Sequence, residues 1–234
     1  MPRKRTETAS SSLPLLDEDD VEEVFRRLVG RDARQKTVPA KVQRDAFRSL
    51  VSCMLSAQSP DARTAMASDA LFAKAATPEA ILALDEDELK ALIRPAGLYN
   101  MKARNIRALC RHLLGERGGK VPATRDGLMA LPGVGRKCAD IMLRFVYDQP
   151  VIAVDTHVHR ICNRLGLARG RTDAQTARHL EARTPRRYLH GGHMALIGYA
   201  KRVCRSRHPR CAECCVADLC LAVRADHGPP PAAP

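Results

Sequence analysis

Two groups of residues in the 234-residue sequence could carry chemistry: basic side chains behind a glycine turn, and closely spaced cysteines. The turn is Leu131-Pro132-Gly133-Val134-Gly135-Arg136-Lys137. It separates Leu128 and Met129 from Ala139, Met142 and Phe145, which recur at helical spacing. Glycine permits positive φ and close backbone approach. A helix that starts directly after such a turn presents unpaired N–H groups to an anion. Gly133, Val134, Gly135 and Arg136 are therefore candidate phosphate contacts, and Lys137 adds an amine one residue further on. By itself Lys137 reads as another phosphate contact. Asp155, in Val154-Asp155-Thr156-His157, reads by itself as the cap of a helix that begins at Thr156.

The chain has nine cysteines. Cys53, Cys110, Cys138 and Cys162 are scattered through helical patterns and read as small buried apolar residues. The spacing Cys204-x6-Cys211-x2-Cys214-x5-Cys220 is different. Four thiolates in one short loop can enclose a cubane iron–sulfur cluster. A structural zinc site is the first rival, but a four-cysteine zinc fold usually brings two C-x-x-C knuckles, and this loop has one. Disulfides are the second rival; an odd cysteine count without a signal peptide argues against them. Cys215 leaves a choice between itself and Cys214 as ligand.

The elements that must position these residues read as helices throughout. Val21, Val24, Phe25 and Leu28 define a helix from near Asp17 to a stop at Gly30. Thr37-Val38-Pro39 reads as an extended crossing. Phe47, Leu50, Val51, Met54 and Leu55 share one face of a helix that ends in Ser56-Ala57-Gln58, and Ser59 is expected to cap the next helix with Pro60 at its first position. Thr77 and Asp85 open two short helices, and Pro95-Ala96-Gly97 breaks the second. Asn100 is expected to cap the helix holding Ile106, Leu109, Leu113 and Leu114, which Gly118-Gly119 closes; Thr124 caps the helix before the turn. Val151 to Val154 reads as a single extended connector, since it is too short and isolated for a sheet. A helix from Thr156 stops at Gly166, another runs from about Asp173 to Ala182, and Gly191-Gly192 interrupts before a last helix from about His193 to Cys204.

The formal net charge of +13 favours a polyanionic partner, nucleic acid before acidic membrane. No apolar run approaches the ~20 residues of a membrane helix. Arg3, Lys4 and Arg5 precede no apolar stretch, so no secretory signal is visible, and a cytoplasmic, nucleoid-associated location is expected in a bacterium.

The glycine turn, Val154-Asp155-Thr156-His157 and the four cysteines, in this order, resemble the endonuclease III family of helix-hairpin-helix DNA glycosylases, from about Val21 to Cys220. The resemblance implies an all-α protein of two helical domains. Residues 39–149 would form the domain with the helix-hairpin-helix motif. Residues 17–38 with 150–226 would form the iron–sulfur cluster domain, flanked by disordered segments 1–16 and 227–234. It implies a [4Fe–4S] cluster on Cys204, Cys211, Cys214 and Cys220, the family spacing choosing Cys214 over Cys215. It makes Lys137 the nucleophile and Asp155 the catalytic carboxylate, puts Gln58 in the DNA gap beside the extruded nucleotide, and makes Leu98 a wedge in the base stack. The implied partner is double-stranded DNA containing damaged bases or abasic sites, bound by a monomer.

The implied activity is a bifunctional glycosylase for oxidised pyrimidines with AP lyase strand cleavage through a Lys137 Schiff base. The alternatives are a monofunctional mismatch glycosylase of the same fold and a non-catalytic DNA-binding or redox-sensing protein. The chain departs from the family at several places. Cys138 and Asp140 stand where many members have threonine and asparagine, and Asp140, three residues from Lys137, is expected to act on that amine. His159 takes an often aromatic place, Tyr199-Ala200-Lys201 replaces a His-Gly-Arg run, and Ala96 is smaller than usual.

Overall fold

The computed structural model describes residues 15–32 and 45–227. The expectations for the N-terminal segment up to Pro14, for Thr37-Val38-Pro39 and for the tail after His227 lie outside them. All regular structure among the described residues is helical, none of it strand, as expected. No described helix is long and apolar enough to cross a membrane.

The chain divides into two compact units, Val38–Ala153 and the flanking Met1–Thr37 with Val154–Pro234. The flanking unit begins with α1 (Glu18–Asp32). The Val38–Ala153 unit holds α2 (Ala46–Leu55), α3 (Asp61–Lys74), α4 (Pro78–Ala83), α5 (Glu86–Ile93), α6 (Tyr99–Arg117), α7 (Arg125–Met129) and α8 (Arg136–Phe145). After the extended stretch through Asp155, α9 (Thr156–Leu165), α10 (Asp173–Arg183), α11 (Leu189–Arg202) and α12 (Leu221–His227) complete the flanking unit.

With no Trp and few other aromatics, both cores are aliphatic. In the Val38–Ala153 unit the apolar faces of α2, α6 and α8 meet through Leu50, Val51, Leu55, Ile106, Leu109, Leu113, Ala139 and Met142. Each fully buried Leu, Ile, Val or Met side chain among these contributes about 1.5–3 kcal/mol. In the flanking unit Val21, Val24, Phe25 and Leu28 are buried as the spacing predicts, and Phe25 stacks on Tyr188 at 5.6 Å between ring centroids.

Several local expectations change. α1 continues past Gly30 to Asp32. One glycine costs a helix about 1 kcal/mol, which the buried face of α1 exceeds. α11 runs unbroken through Gly191 and Gly192. A Cβ on Gly191 would stand 3.2 Å from Val29 Cγ1, so glycine there permits close packing of α1 on α11. Ser59 does not cap α3: Pro60 holds the cap position and the Ser59 hydroxyl donates to the Pro60 carbonyl. Asn100 lies within the first turn of α6, whose cap position is Leu98. α12 had no counterpart in the sequence pattern.

Gly166 ends α9 with φ +88°, and a Cβ there would meet Leu221 Cδ1 at 2.3 Å. Gly135 has ordinary φ and open space. Gly166→Ala should therefore destabilise the protein by about 2 kcal/mol or more, from left-handed strain and overpacking. Thermal melting should fall by about 4–8 °C. Gly135→Ala should leave the melting point unchanged; equal melting of the two variants would contradict this packing.

Candidate functional site

In the Val38–Ala153 unit the capping pattern of the helices separates into two sets. α2, α4, α5 and α7 are capped by the side chains of Asp45, Thr77, Asp85 and Thr124. α3, α6 and α8 start without a side-chain cap, from Pro60, Leu98 and Gly135. These three starts follow the Gln58 turn, the Leu98 loop and the glycine turn. Uncapped first-turn N–H groups need a partner from elsewhere, and an anion at the positive end of the helix dipole is a suitable one.

The glycine turn is closed by a hydrogen bond from Val134 N–H to the Leu131 carbonyl, 3.1 Å. Gly133 has φ +75°, and a Cβ on it would lie 2.9 Å from Asn105 Cβ and 3.0 Å from Met54 Cε. Only glycine lets the turn rest on α6 and α2 this closely. Val134 is buried beneath it, while Gly133 and Gly135 are exposed.

Gln58 and Leu98 share a property that the sequence did not announce. Both are non-glycine residues at positive φ, +52° and +48°. Such conformations carry strain and collect at binding sites. Gln58 is exposed and Leu98 is 50% exposed, although a leucine between two helices is more often core. One buried cation joins the two turns. The Lys102 ammonium donates to the Leu55 carbonyl at 2.7 Å and to the Ala96 carbonyl at 2.9 Å, and the residue is 3% exposed. Burial pulls this ammonium below the ordinary lysine value. Ala96 itself is buried, so its small side chain is part of this packing.

Lys137, in the first turn of α8, is exposed. The expected action of Asp140 on it is not what the structure shows. Asp140 is 1% exposed, and its carboxylate is held by Arg125 Nε at 2.7 Å and Arg136 Nε at 3.4 Å. Arg125 approaches Asp140 from α7, and Arg136 from one turn earlier on α8. Among the described residues the Lys137 ammonium has no hydrogen bond or ion pair. The Arg136 guanidinium is accordingly turned onto Asp140.

In the flanking unit, Asp155 is the N-cap of α9: Oδ1 accepts from His157 N–H at 2.9 Å and Val158 N–H at 2.8 Å. Among the described residues no hydrogen bond falls on Oδ2. α9 is fastened to the cysteine loop. Arg160 donates to the carbonyls of Cys204 and Ala200, and Arg164 to those of Arg205 and Ser206 and to Cys204 Sγ at 3.6 Å.

Cys204, Cys211, Cys214 and Cys220 all line one cavity of about 210 Å³, closed by Ile161, Leu165, Val203 and Val216. Among the described residues no three His, Cys, Asp or Glu side chains meet closely enough to hold a single metal ion. Cys215 does not line the cavity. Its N–H donates to the Tyr199 hydroxyl at 2.8 Å, and its carbonyl accepts from Arg27 at 3.1 Å. Tyr199 is thus the buried support of the loop, which accounts for one departure from the family pattern. His159 accounts for another: its Nδ1 meets Thr176 Oγ1 at 2.7 Å and joins α9 to α10.

Lys102, Arg160 and Arg164 were missed in the sequence. Lys102 did leave a signal, since it shares the apolar stripe of Ile106, Leu109 and Leu113 on α6. The two arginines left none, because a basic residue on a helix next to a basic loop reads as solvated.

Comparison with known proteins gives the class first. The family described as HhH-GPD superfamily base excision DNA repair protein matches residues 51–186. Endonuclease III of Treponema pallidum (strain Nichols) is 40% identical over 206 residues, covering 88% of this chain and 97% of its own. A solved non-covalent endonuclease III–DNA complex superposes with TM-score 0.81 at 33% identity, over 91% of this chain and 99% of that one. A trapped endonuclease III–DNA covalent intermediate gives 0.82 at the same identity and coverage. The chain belongs to the endonuclease III family within the HhH-GPD superfamily, and is an enzyme of base excision DNA repair.

Lys102→Met should leave the Leu55 and Ala96 carbonyls without their donor and cost about 2–4 kcal/mol. Amide exchange should accelerate in the 55–58 and 96–98 turns and leave α10 protected. Unchanged exchange in both turns would show that the ammonium does not hold them.

Proposed function

We propose that the protein is a bifunctional DNA glycosylase and AP lyase that removes oxidised pyrimidines from double-stranded DNA, acting as a monomer. The observation that carries this reading is the set of uncapped helix starts, with Lys137 directly behind the start at α8. Phosphates would take the free N–H groups at the three turns, Gly133, Val134, Gly135 and Arg136 forming the grip at α8. Leu98, already exposed and strained, would enter the base stack, and Gln58 would fill the gap left by the extruded nucleotide.

Cleaving the N-glycosidic bond builds positive charge at the sugar C1′. Asp155 would stabilise that charge through Oδ2, while Oδ1 keeps the carboxylate fixed on the α9 N–H groups. The Lys137 amine attacks C1′ and the base leaves with its bonding pair and takes a proton; the nitrogen lone pair then opens the C1′–O4′ bond, O4′ takes a proton as a hydroxyl, and a Schiff base forms. Loss of a C2′ proton then expels the 3′ phosphate by β-elimination. A solved endonuclease III of the same fold forms a trapped covalent intermediate with DNA, which supports a covalent route here.

We further propose that Cys204, Cys211, Cys214 and Cys220 hold a [4Fe–4S] cluster. A cavity of about 210 Å³ lined by all four thiols, in a loop with a single C-x-x-C knuckle, suits a polynuclear cluster better than a four-cysteine zinc fold. The chemistry the cluster would supply is structural. Arg160 and Arg164 already fasten the loop to α9, so a stiffened loop would hold Asp155 in place.

Two measurements test these proposals. On duplexes carrying one oxidised pyrimidine, Lys137→Gln should abolish strand cleavage but keep DNA binding. Asp155→Asn should slow base release by about 10²–10³-fold. Base release by the wild type without any strand cleavage would make it a monofunctional glycosylase. Anaerobically purified protein should contain about four irons per chain. Cys214→Ser should lose them and Cys215→Ser should keep them; the reverse would reassign the ligand.

A further inference from the structure

Asp140 is a carboxylate in an apolar place. It lies in the second turn of α8, flanked along the helix by the buried Ala139, Met142 and Leu143, with its side chain 1% exposed. A buried carboxylate persists only when it is paired. Arg125 Nε donates to Oδ1 at 2.7 Å, the length of a strong charge-assisted hydrogen bond, and Arg136 Nε stands 3.4 Å from Oδ2. One carboxylate thus serves two guanidinium groups, one at each oxygen.

Both arginines are the first residues of helices, Arg125 of α7 and Arg136 of α8. A cation at a helix start is repelled by the positive end of the helix dipole. Without Asp140 such side chains would turn outward, to solvent or to an anion. Instead the Arg125 and Arg136 side chains are only 27% and 20% exposed, while the adjacent Lys137 is exposed.

α7 and α8 are the two helices joined by the glycine turn, and they pack on each other. The hairpin is closed at its tip by the bond from Val134 N–H to the Leu131 carbonyl. Away from the tip it is crossed by the Arg125–Asp140 bond, between residues fifteen apart in sequence. The α8 start has no side-chain cap. Its main-chain donors therefore stay open to an anion, while the first side-chain cation of the helix is committed to a carboxylate inside the hairpin.

We propose that Asp140 is a positioning residue of the hairpin. Through Arg125 it fixes α7 on α8. By holding Arg136 it withholds that guanidinium from DNA, so a phosphate at the α8 start is met by main-chain N–H groups and not by the Arg136 side chain. A phosphate gripped by a rigid helix start is located precisely, and Lys137 is located with it. A flexible guanidinium would instead add affinity for any duplex. The inference rests on the phosphate grip proposed above for this turn.

The test binds the full-length protein to an undamaged duplex over a series of salt concentrations. The slope of log affinity against log salt counts neutralised phosphates, at about 0.9 each. Arg136→Gln should keep the wild-type slope, because its charge meets no phosphate. Asp140→Asn keeps the shape and an acceptor for Arg125 but releases Arg136, and the slope should steepen by about 0.9. Adding Arg136→Gln to Asp140→Asn should restore the wild-type slope. An Asp140→Asn slope equal to wild type overturns the proposal. If Asp140→Asn fails to fold, Arg136→Gln still decides, since a slope shallower by about 0.9 overturns it too. Arg125→Gln should speed amide exchange in α7 and leave α10 protected; unchanged exchange in α7 overturns the tie between the helices. Exchange of residues 133–138 in the wild type, with and without duplex, reads the grip itself. Protection there with slopes other than these overturns the role of Asp140 alone, and no protection overturns the grip and the inference with it.

Discussion

A lysine ammonium at 3% exposure is tolerable only if its protons are bonded, and Lys102 bonds the Leu55 and Ala96 carbonyls. The end of α2 and the break before α6 are thereby set by one cation. Gln58 and Leu98 stand three and two residues beyond those carbonyls, both at positive φ. Strained turns persist when their surroundings over-determine them. Here the surroundings are the Lys102 bonds on one side and, on the other, the close rest of Gly133 on Asn105 and Met54. The three turns that face outward are fastened from beneath to the same aliphatic core.

The flanking unit meets its own positioning problem with arginines. Asp155 must hold a carboxylate at the start of α9, and the helix must not drift. Arg160 and Arg164 project from α9 onto carbonyls of the segment from Ala200 to Ser206, and Arg27 and Tyr199 bind the backbone of Cys215. The arginines thus hold five backbone carbonyls of this segment, those of Ala200, Cys204, Arg205, Ser206 and Cys215. Four thiols around one cavity are where the proposed cluster would supply the remaining constraint.

Much of this was legible in the sequence. Apolar spacing located α2, α6, α8 and α9, and the caps at Thr77, Asp85, Thr124 and Asp155 formed as their residue types suggest. The failures share a cause: a tertiary contact outweighed a local preference. Gly191 does not break α11, because its missing side chain is what lets Val29 approach. Ser59 and Asn100 lose the cap positions to Pro60 and Leu98, leaving helix starts open where capping chemistry would have closed them. Asp140 is drawn to Arg125, fifteen residues away in sequence and invisible to helical spacing.

The proposed lyase chemistry requires the amine behind the glycine turn to become covalently bound to the sugar. Borohydride reduction during turnover on an abasic duplex, followed by digestion and mass mapping, reads the site of that bond directly. A reduced sugar adduct on Lys137 is expected. An adduct confined to another lysine, or to the N-terminal amine, would contradict it.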